Sequence, residues 1–165
     1  MPRPPESVDD VEIPAGVQEA LESIRAAGYV VIAVTNQPDV ARGTTSRSTV
    51  EAINSYVTAH LPVEAVYTCF HDGDSCSCRK PRPGMLLQAA ADYSVDLDRS
   101  WMIGDRWVDI AAGRAAGVRT VLLERLYSWQ PTHQGDPPAG LQPDAVGNDL
   151  AACAAAILGS ASRVS

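Results

Sequence analysis

The sequence has little positive charge, no long apolar run and no leader-like opening. Its 165 residues carry 13 Lys and Arg against 20 Asp and Glu, which leaves a formal net charge of −7. That balance argues against nucleic-acid or anionic-membrane binding driven by overall charge. The longest apolar stretches, around 29–34 and 150–158, are too short to cross a bilayer, and the first ten residues lack the apolar core of a secretory signal. We therefore expect a cytoplasmic protein without nucleic-acid or membrane partners, and its oligomeric state stays open.

The composition is that of a folded domain. Apolar residues make up 45% of the chain and charged residues 20%, so there is enough apolar side chain for a core and too little charge for a disordered chain. The length matches about one domain, and the chain has no internal repeat. We expect residues 1–165 to form a single domain.

Two kinds of apolar stretch alternate along the chain. Short β-branched runs predict strands, and apolar residues at helical spacing predict helices. The expected strands are 29–34, 65–69, 100–105, 118–123 and 145–146, and the polar segments 35–45 and 128–143 are expected to be loops. The expected helices run from 17 to a stop at Gly28, from a cap at Ser46 or Ser48 to about 60, over 84–93 after Pro83, from the strand at 100–105 to near Gly117, and over 148–158. The alternation predicts an α/β fold, a three-layer α/β/α arrangement with a mainly parallel, Rossmann-like sheet covered on both faces.

Polar residues capable of chemistry follow three of the expected strands. They are Thr35-Asn36-Gln37, the segment 69–80 and Gly104-Asp105-Arg106. Ligands of parallel α/β sheets bind beyond the carboxyl ends of the strands. Three matches at one edge therefore indicate a binding site there more strongly than any one of them alone.

Three of the four cysteines lie in one short segment. With one histidine they form a C-x-H-x4-C-x-C set: Cys69, His71, Cys76 and Cys78. Three thiolates and one imidazole satisfy the tetrahedral preference of zinc and leave no position for water, so the set predicts a structural zinc site. The alternative is a group of surface cysteines kept reduced. Cys153 stands alone in an alanine-rich stretch and is expected to be a small buried residue.

Two carboxylates flank the turn after the third expected strand. Asp105 and Asp109 lie four residues apart at the start of a helix, where they can share one face. Oxygen ligands in this position suit Mg²⁺. The alternative is an ordinary helix N-terminus, where Asp is favoured in any case.

Groups suited to phosphate form the second set at this edge. Thr35 and Asn36, with the backbone N–H groups that follow, can hold a phosphate or can form a plain turn. Arg79 and Lys80 offer a forked and a point-charge phosphate ligand beside the cysteine segment. Two adjacent basic residues are also common on solvated surfaces, so context decides between these interpretations.

Three segments together resemble the successive motifs of a known family. The segments VVIAVTNQPDVARG, CFHDGDSCSCRKPRPGM and WMIGDRWVDIAAGRAAG are similar to those of the haloacid-dehalogenase-like phosphatases. Within that family the similarity is to the zinc-containing D-glycero-D-manno-heptose 1,7-bisphosphate phosphatases, with histidinol-phosphatases as near relatives. The ARG and PGM triplets favour the heptose branch. The resemblance extends from about Val11 to Leu158.

The resemblance implies a role for each matching position. It makes Lys80 the cation that neutralises the transferring phosphoryl group and Asp105 a ligand of Mg²⁺, with Asp109 supporting that metal site. Substrate contacts would come from Thr35, Asn36, Gln37, Pro38, Arg79 and Arg106. Structural zinc would be held in a loop at 69–85 by Cys69, His71, Cys76 and Cys78. The implied cofactors are Zn²⁺ and Mg²⁺, and the implied partner is a small phosphorylated sugar.

One motif of that family has no counterpart in these residues. The phosphatases begin with an apolar strand ending in D-x-D-G, whose first Asp attacks phosphorus and whose second acts as general acid and base. Asp9 and Asp10 have the wrong spacing and no apolar strand before them, and the DGD at 72–74 lies inside the cysteine segment. Without a carboxylate nucleophile no aspartyl-phosphate can form. In the family the missing strand lies in the middle of the sheet, between those expected at 29–34 and 100–105.

Two explanations of that departure are open, and we favour the first. Either the N-terminus is incomplete, or the neighbouring strands close up into a sheet with one member fewer. The complete form would hydrolyse a phosphomonoester of a sugar bisphosphate with Mg²⁺, whereas the 165 residues as given would bind without turnover. The alternatives are a non-catalytic phosphosugar-binding or regulatory pseudo-phosphatase, and a phosphatase acting on histidinol phosphate or another phosphomonoester.

Overall fold

The structure is a computed structural model that describes residues 4–161. The chain divides into two compact units, one ending at Cys76 and the other beginning at Ser77. Parallel strands alternate with helices in both.

Residues 4–76 contain a parallel strand pair and three α-helices. The elements are a 3₁₀ turn (Val8–Asp10), α1 (Val17–Ala26), β1 (Ile32–Asn36), α2 (Pro38–Ala41), α3 (Arg47–His60) and β2 (Ala65–Cys69). Ser46 caps α3, because its Oγ accepts the N–H of Thr49 at 3.1 Å. Of the two serines that the sequence offers for this cap, the structure therefore uses Ser46.

The register of β1 against β2 places the predicted phosphate turn beside the cysteine segment. Thr35 lies opposite Thr68, and Asn36 lies opposite Cys69. Immediately after β1, the Gln37 N–H donates to Cys69 O at 2.7 Å. The carboxyl ends of both strands therefore meet at one edge.

The bounds of β1 differ from those expected. The apolar run at 29–34 predicts a strand there, but the ladder to β2 begins only at Ile32 and continues through residue 36. Residues 35–45, expected to be a loop, contain α2, which begins at Pro38 because the fixed φ of proline suits a first helical turn. A run of apolar side chains predicts that a strand is present, but backbone hydrogen bonding to the neighbouring strand determines where it begins and ends.

Residues 77–161 contain a three-stranded parallel sheet. The elements are α4 (Gly84–Tyr93), a 3₁₀ turn (Leu97–Arg99), β3 (Trp101–Gly104), α5 (Trp107–Ala116), β4 (Arg119–Leu123), β5 (Ala145–Gly147) and α6 (Leu150–Ala161). The strands lie in the order β3-β4-β5, with α5 packed on β3 and β4 and α6 packed on β4 and β5. The core includes Ile110 and Val121, both 0% exposed, and Cys153 is equally buried, as expected.

The predicted α/β class with parallel strands is confirmed. In residues 4–161 the strands form two parallel sheets, β1-β2 and β3-β4-β5, where the alternating pattern indicated one. All five residues of β1 are only half-buried. Within the same residues, no helix combines the length and the apolar character needed to span a membrane.

Candidate active site and metal-binding loop

Hydrogen bonds hold the polar turn after β1 to its own strand pair. The Gln37 side-chain amide donates to Thr35 Oγ1 at 3.2 Å, in addition to the backbone bond from Gln37 to Cys69. On the neighbouring strand, Asn54 Nδ2 donates to Thr68 Oγ1 at 2.9 Å. The turn predicted to bind phosphate is thus fixed next to the first residue of the cysteine loop.

The cysteine loop gathers four metal-ligating side chains. The ligand atoms, all within 4.8 Å of one another, come from Cys69, His71, Cys76 and Cys78. Cys69 Sγ lies 3.7 Å from Cys76 Sγ and 3.4 Å from His71 Nδ1. Ligands of tetrahedral zinc, at the usual bond lengths, are separated by about 3.8 Å for two sulfurs and about 3.6 Å for sulfur and nitrogen. A disulfide would need about 2.05 Å between sulfurs, and the cysteines form none. The donor set and its spacing therefore fit a tetrahedral metal ion.

An ion pair anchors this loop to the residue that follows α2. Arg42 Nε lies 2.7 Å from Asp72 Oδ2 and Arg42 Nη2 lies 2.8 Å from Asp72 Oδ1, a bidentate arrangement. Arg42 Nη1 also lies 3.6 Å from Asp39 Oδ1. The hydrogen bond to Asp72 is the main cause that raises the pKa of Arg42. The pair therefore ties the cysteine loop to the end of α2.

A second ion pair is buried at the start of α5. Lys80, the only lysine of the chain, places Nζ 2.6 Å from Asp109 Oδ1, and the two side chains are 12% and 7% exposed. The other carboxylate oxygen accepts the Arg106 N–H at 3.1 Å. Gly104 makes room for this carboxylate, because a Cβ at that position would overlap the Asp109 side chain. Lys80 is therefore a fixed cation and not a solvated surface charge.

The segment after β4 holds Asp105 from two sides. Tyr127 Oη donates to Asp105 Oδ2 at 2.5 Å, and Ser128 Oγ donates to Asp105 O at 2.7 Å. Burial, then the hydrogen bond to Asp105, raises the pKa of Tyr127 above its usual 10.0, so the phenol remains a donor at neutral pH. The guanidinium of Arg106 lies over the Tyr127 ring, 4.9 Å from its centroid.

Arg79 is also buried, with 3% of its surface exposed. With the Gln134 amide oriented as its neighbours require, its oxygen accepts from Arg79 Nη2 at 2.7 Å and from Nε, and its nitrogen donates to Thr132 Oγ1 at 3.3 Å. A guanidinium bound through two of its nitrogens has a fixed direction.

A family model and curated relatives match this chain. The HAD-hydrolase-like family model matches residues 77–153. D-glycero-beta-D-manno-heptose-1,7-bisphosphate 7-phosphatase from Pasteurella multocida is 33% identical over 128 residues, which are 70% of this chain and 70% of the relative. The enzyme of the same name from Helicobacter pylori is 34% identical over 122 residues, again 70% of each. The chain belongs to the haloacid-dehalogenase-like phosphatases.

Solved structures of this phosphatase family share the fold. D,D-heptose 1,7-bisphosphate phosphatase from B. bronchiseptica, in complex with magnesium and phosphate, matches with a TM-score of 0.76 and 32% identity, covering 94% of this chain and 88% of that chain. The enzyme from Burkholderia thailandensis matches with a TM-score of 0.62 and 25% identity, covering 92% and 89%.

In this phosphatase, the residues predicted from sequence have well-defined neighbours. The side chain of Gln37 donates a hydrogen bond to Thr35 at the end of β1. Asn36 is the last residue of that strand, and Pro38 is the first residue of α2. Lys80 and Asp109 contact each other, whereas Asp105 bonds Tyr127. The two carboxylates, whose spacing allows them to share one helix face, therefore engage different partners, and their metal roles remain predictions.

Sequence reasoning missed three of these partners. They are Tyr127, Ser128 and Gln134, all in the long segment between β4 and β5. Its prolines and glycines predict a loop, and the sequence contains no further signal of what that loop touches. No spacing rule links Tyr127 to Asp105, because α5 and β4 separate the two residues in sequence. Their contact depends on the path of the chain after β4.

Proposed function

We propose that this chain binds sugar bisphosphates such as D-glycero-D-manno-heptose 1,7-bisphosphate together with Mg²⁺, the class of substrate that its relatives are named for dephosphorylating. The names of the relatives and the magnesium and phosphate in the similar B. bronchiseptica structure support the proposal. The observation that carries it is the buried Lys80–Asp109 pair, which fixes one ammonium group in a chain of net negative charge. Asp105 lies four residues before Asp109 and directly follows β3, which ends at Gly104.

In this proposal the chain's own residues position the phosphoryl group. Lys80, held by Asp109, neutralises the charge on the transferring group, which is the main requirement of phosphoryl transfer. Thr35 and Asn36 bind phosphate oxygens at the end of β1. The other substrate contacts come from Gln37, Pro38, Arg79 and Arg106.

Asp105 fits the Mg²⁺ site that the proposal requires. Magnesium commonly takes one or two protein carboxylates and completes its shell with water and substrate phosphate. Tyr127 bonds Asp105 Oδ2, so we assign Oδ1 to the metal, with Asp109 supporting the site. The ion would supply charge neutralisation at the phosphoryl oxygens.

We further propose that the cysteine loop holds structural zinc. Four protein ligands close the coordination shell and leave no position for a reacting water. The role of the ion is then to fix the loop that leads to Arg79 and Lys80.

The lack of a carboxylate nucleophile limits the reaction that these residues can carry out by themselves. The chain contains no apolar strand followed by D-x-D-G, so we propose that a polypeptide of these 165 residues binds the bisphosphate without hydrolysing it. Covalent catalysis by this family's route requires that carboxylate.

The experiment measures binding and phosphate release side by side. D-glycero-D-manno-heptose 1,7-bisphosphate is titrated calorimetrically with and without Mg²⁺, and inorganic phosphate is assayed in parallel with histidinol phosphate as a second substrate. We expect binding that Mg²⁺ strengthens and no release. Lys80→Met should weaken binding about tenfold or more, the value of a hydrogen bond to a charged group. The exposed Arg99 provides the control, Arg99→Gln, with unchanged binding.

Each other outcome contradicts a different part of the proposal. Mg²⁺-dependent turnover by this chain would refute the account of the nucleophile. Absence of bisphosphate binding would refute the assigned site, and binding of histidinol phosphate alone would refute the assigned substrate.

A further inference from the structure

One tyrosine contacts two consecutive residues of the candidate site. The hydroxyl of Tyr127 donates to Asp105 Oδ2 at 2.5 Å, and its ring lies under the guanidinium of Arg106, 4.9 Å from the centroid. The hydroxyl of Tyr127 therefore contacts Asp105, the proposed metal ligand, and its ring face contacts Arg106, the proposed substrate ligand.

The backbone around Tyr127 is locked to the start of α5. Ser128, which is 0% exposed, donates its hydroxyl to Asp105 O and accepts the Trp107 N–H at 2.9 Å. The Ser128 hydroxyl also accepts the Arg125 N–H at 2.9 Å. The indole of the same Trp107 donates to Gln130 O at 3.1 Å. These hydrogen bonds, made by residues on both sides of Tyr127, fix the backbone that carries its side chain without a bound ligand.

We propose that Tyr127 is a positioning residue of this site: its hydroxyl fixes the Asp105 carboxylate so that Oδ1 is presented to Mg²⁺, and its ring holds the Arg106 guanidinium for substrate phosphate. The proposal rests on the function proposed above. An O–H···O⁻ bond of this length is charge-assisted and restricts rotation of the carboxylate. Partners of this kind, which hold a metal ligand without touching the metal, commonly determine 10- to 100-fold of metal affinity, which is about the effect to expect here.

The two contacts can be removed in two steps. Tyr127→Phe keeps the ring under Arg106 and removes the hydroxyl from Asp105. Tyr127→Leu removes both. Tyr93→Phe, at the end of α4 with the tyrosine 38% exposed, is the matched control for loss of a tyrosine hydroxyl.

The test is calorimetric titration of the 165-residue chain with MgCl₂ alone, followed by inorganic phosphate at saturating Mg²⁺. For Tyr127→Phe we expect the Mg²⁺ dissociation constant to rise about tenfold and the phosphate dissociation constant to stay within twofold of wild type. For Tyr127→Leu we expect the same loss for Mg²⁺ and a further two- to fivefold loss, roughly, for phosphate, the range of one cation–π contact. Tyr93→Phe should change neither.

The pattern separates positioning from general stability. A purely structural role would weaken both ligands together in both variants, and that result would overturn the proposal. Mg²⁺ affinity within twofold of wild type in Tyr127→Phe would overturn it as well, while leaving the proposed function in place. A wild-type chain that binds no Mg²⁺ would overturn both.

Discussion

At the scale of single residues, the absence of a side chain at Gly104 leaves space for the carboxylate of Asp109. A Cβ there would overlap the Asp109 side chain, which Lys80 and the Arg106 N–H hold in place. Gly104→Ala should therefore displace the carboxylate from Lys80 and lower the free energy of unfolding by about 1–3 kcal/mol, as overpacking does. Urea denaturation measures the loss. Because Lys80 is the only lysine, faster labelling of an ε-amine, read by mass spectrometry apart from the α-amino group, would report its release.

The control for that change is Gly159→Ala in α6. A Cβ at Gly159 meets nothing within 4 Å, so the same chemical change should be neutral or stabilise the helix by about 0.5–1 kcal/mol. Equal losses at Gly104 and Gly159 would show that the Asp109 contact is not the cause.

A second residue-scale prediction concerns Arg42 and Asp72. Their bidentate pair joins positions far apart in the chain, with side chains 32% and 39% exposed, whereas the pair of Arg47 and Glu51 is a single contact within α3 at 66% and 58%. A double-mutant cycle should give a larger coupling for the first pair than for the second, where about 0.3–0.5 kcal/mol is typical of a pair one turn apart on a helix. The substitutions are Arg42→Gln with Asp72→Asn, and Arg47→Gln with Glu51→Gln. A weaker coupling at Arg42 would contradict its role as the anchor of the loop.

At the scale of elements, a side chain joins β4 to β5 in addition to the strand ladder. Asp144, just before β5, accepts the Thr120 N–H at 2.8 Å through Oδ2, and its own N–H donates to Thr120 O at 2.9 Å. Thr120 is 0% exposed. Asp144→Ala removes the acceptor of a buried donor and should lower the free energy of unfolding by about 1–3 kcal/mol.

Conservative and distant substitutions sharpen this prediction. Asp144→Asn keeps an acceptor oxygen and should lose less stability than Asp144→Ala, as measured for both variants by thermal unfolding. Asp136→Ala, an exposed position in the same segment, should lose almost nothing. If the Asn and Ala variants at 144 were equally unstable, the bond to Thr120 would not explain the effect.

Elements with a local signal at their ends were predictable from the sequence. The helix at Gly84 was expected after Pro83 and is found there, and Ser46 was one of two caps considered for α3. β1 was placed about three residues too early, because its ends depend on pairing with β2. Contacts such as that of Tyr127 with Asp105 were out of reach, since nothing local to either residue encodes them.

At the scale of the whole molecule, the alternation of strands and helices was enough to predict the α/β class. Parallel pairing follows because each pair of sequential strands is separated by a helix or a long connection. The number of sheets did not follow from the pattern. In residues 4–161 the ladder hydrogen bonds define two sheets, and ladders depend on which strand edges meet, a property that alternation leaves open.

Metal content and thiol reactivity provide the last prediction, which concerns all four cysteines together. If the cysteine loop holds zinc, the purified chain should contain about one zinc ion, the content of a single closed four-ligand site. Cys76→Ser should lose most of the zinc, because the substitution removes a thiol ligand whose sulfur lies 3.7 Å from Cys69 Sγ. Cys153→Ala is the matched control and should keep its zinc, since Cys153 is outside the cluster and 0% exposed.

Chelation then separates the thiols by reactivity. After zinc removal, the three loop thiols should react rapidly with a disulfide reagent at neutral pH and the melting temperature should fall. Cys153 should remain slow, because burial raises the pKa of its thiol above 9.0 and the thiolate is the reacting form. Raising the pH should speed the Cys153 reaction, because the thiolate fraction keeps rising until the pH passes the raised pKa. Release of no additional reactive thiols by the chelator would refute zinc binding, and equal reactivity of all four would refute the buried environment of Cys153.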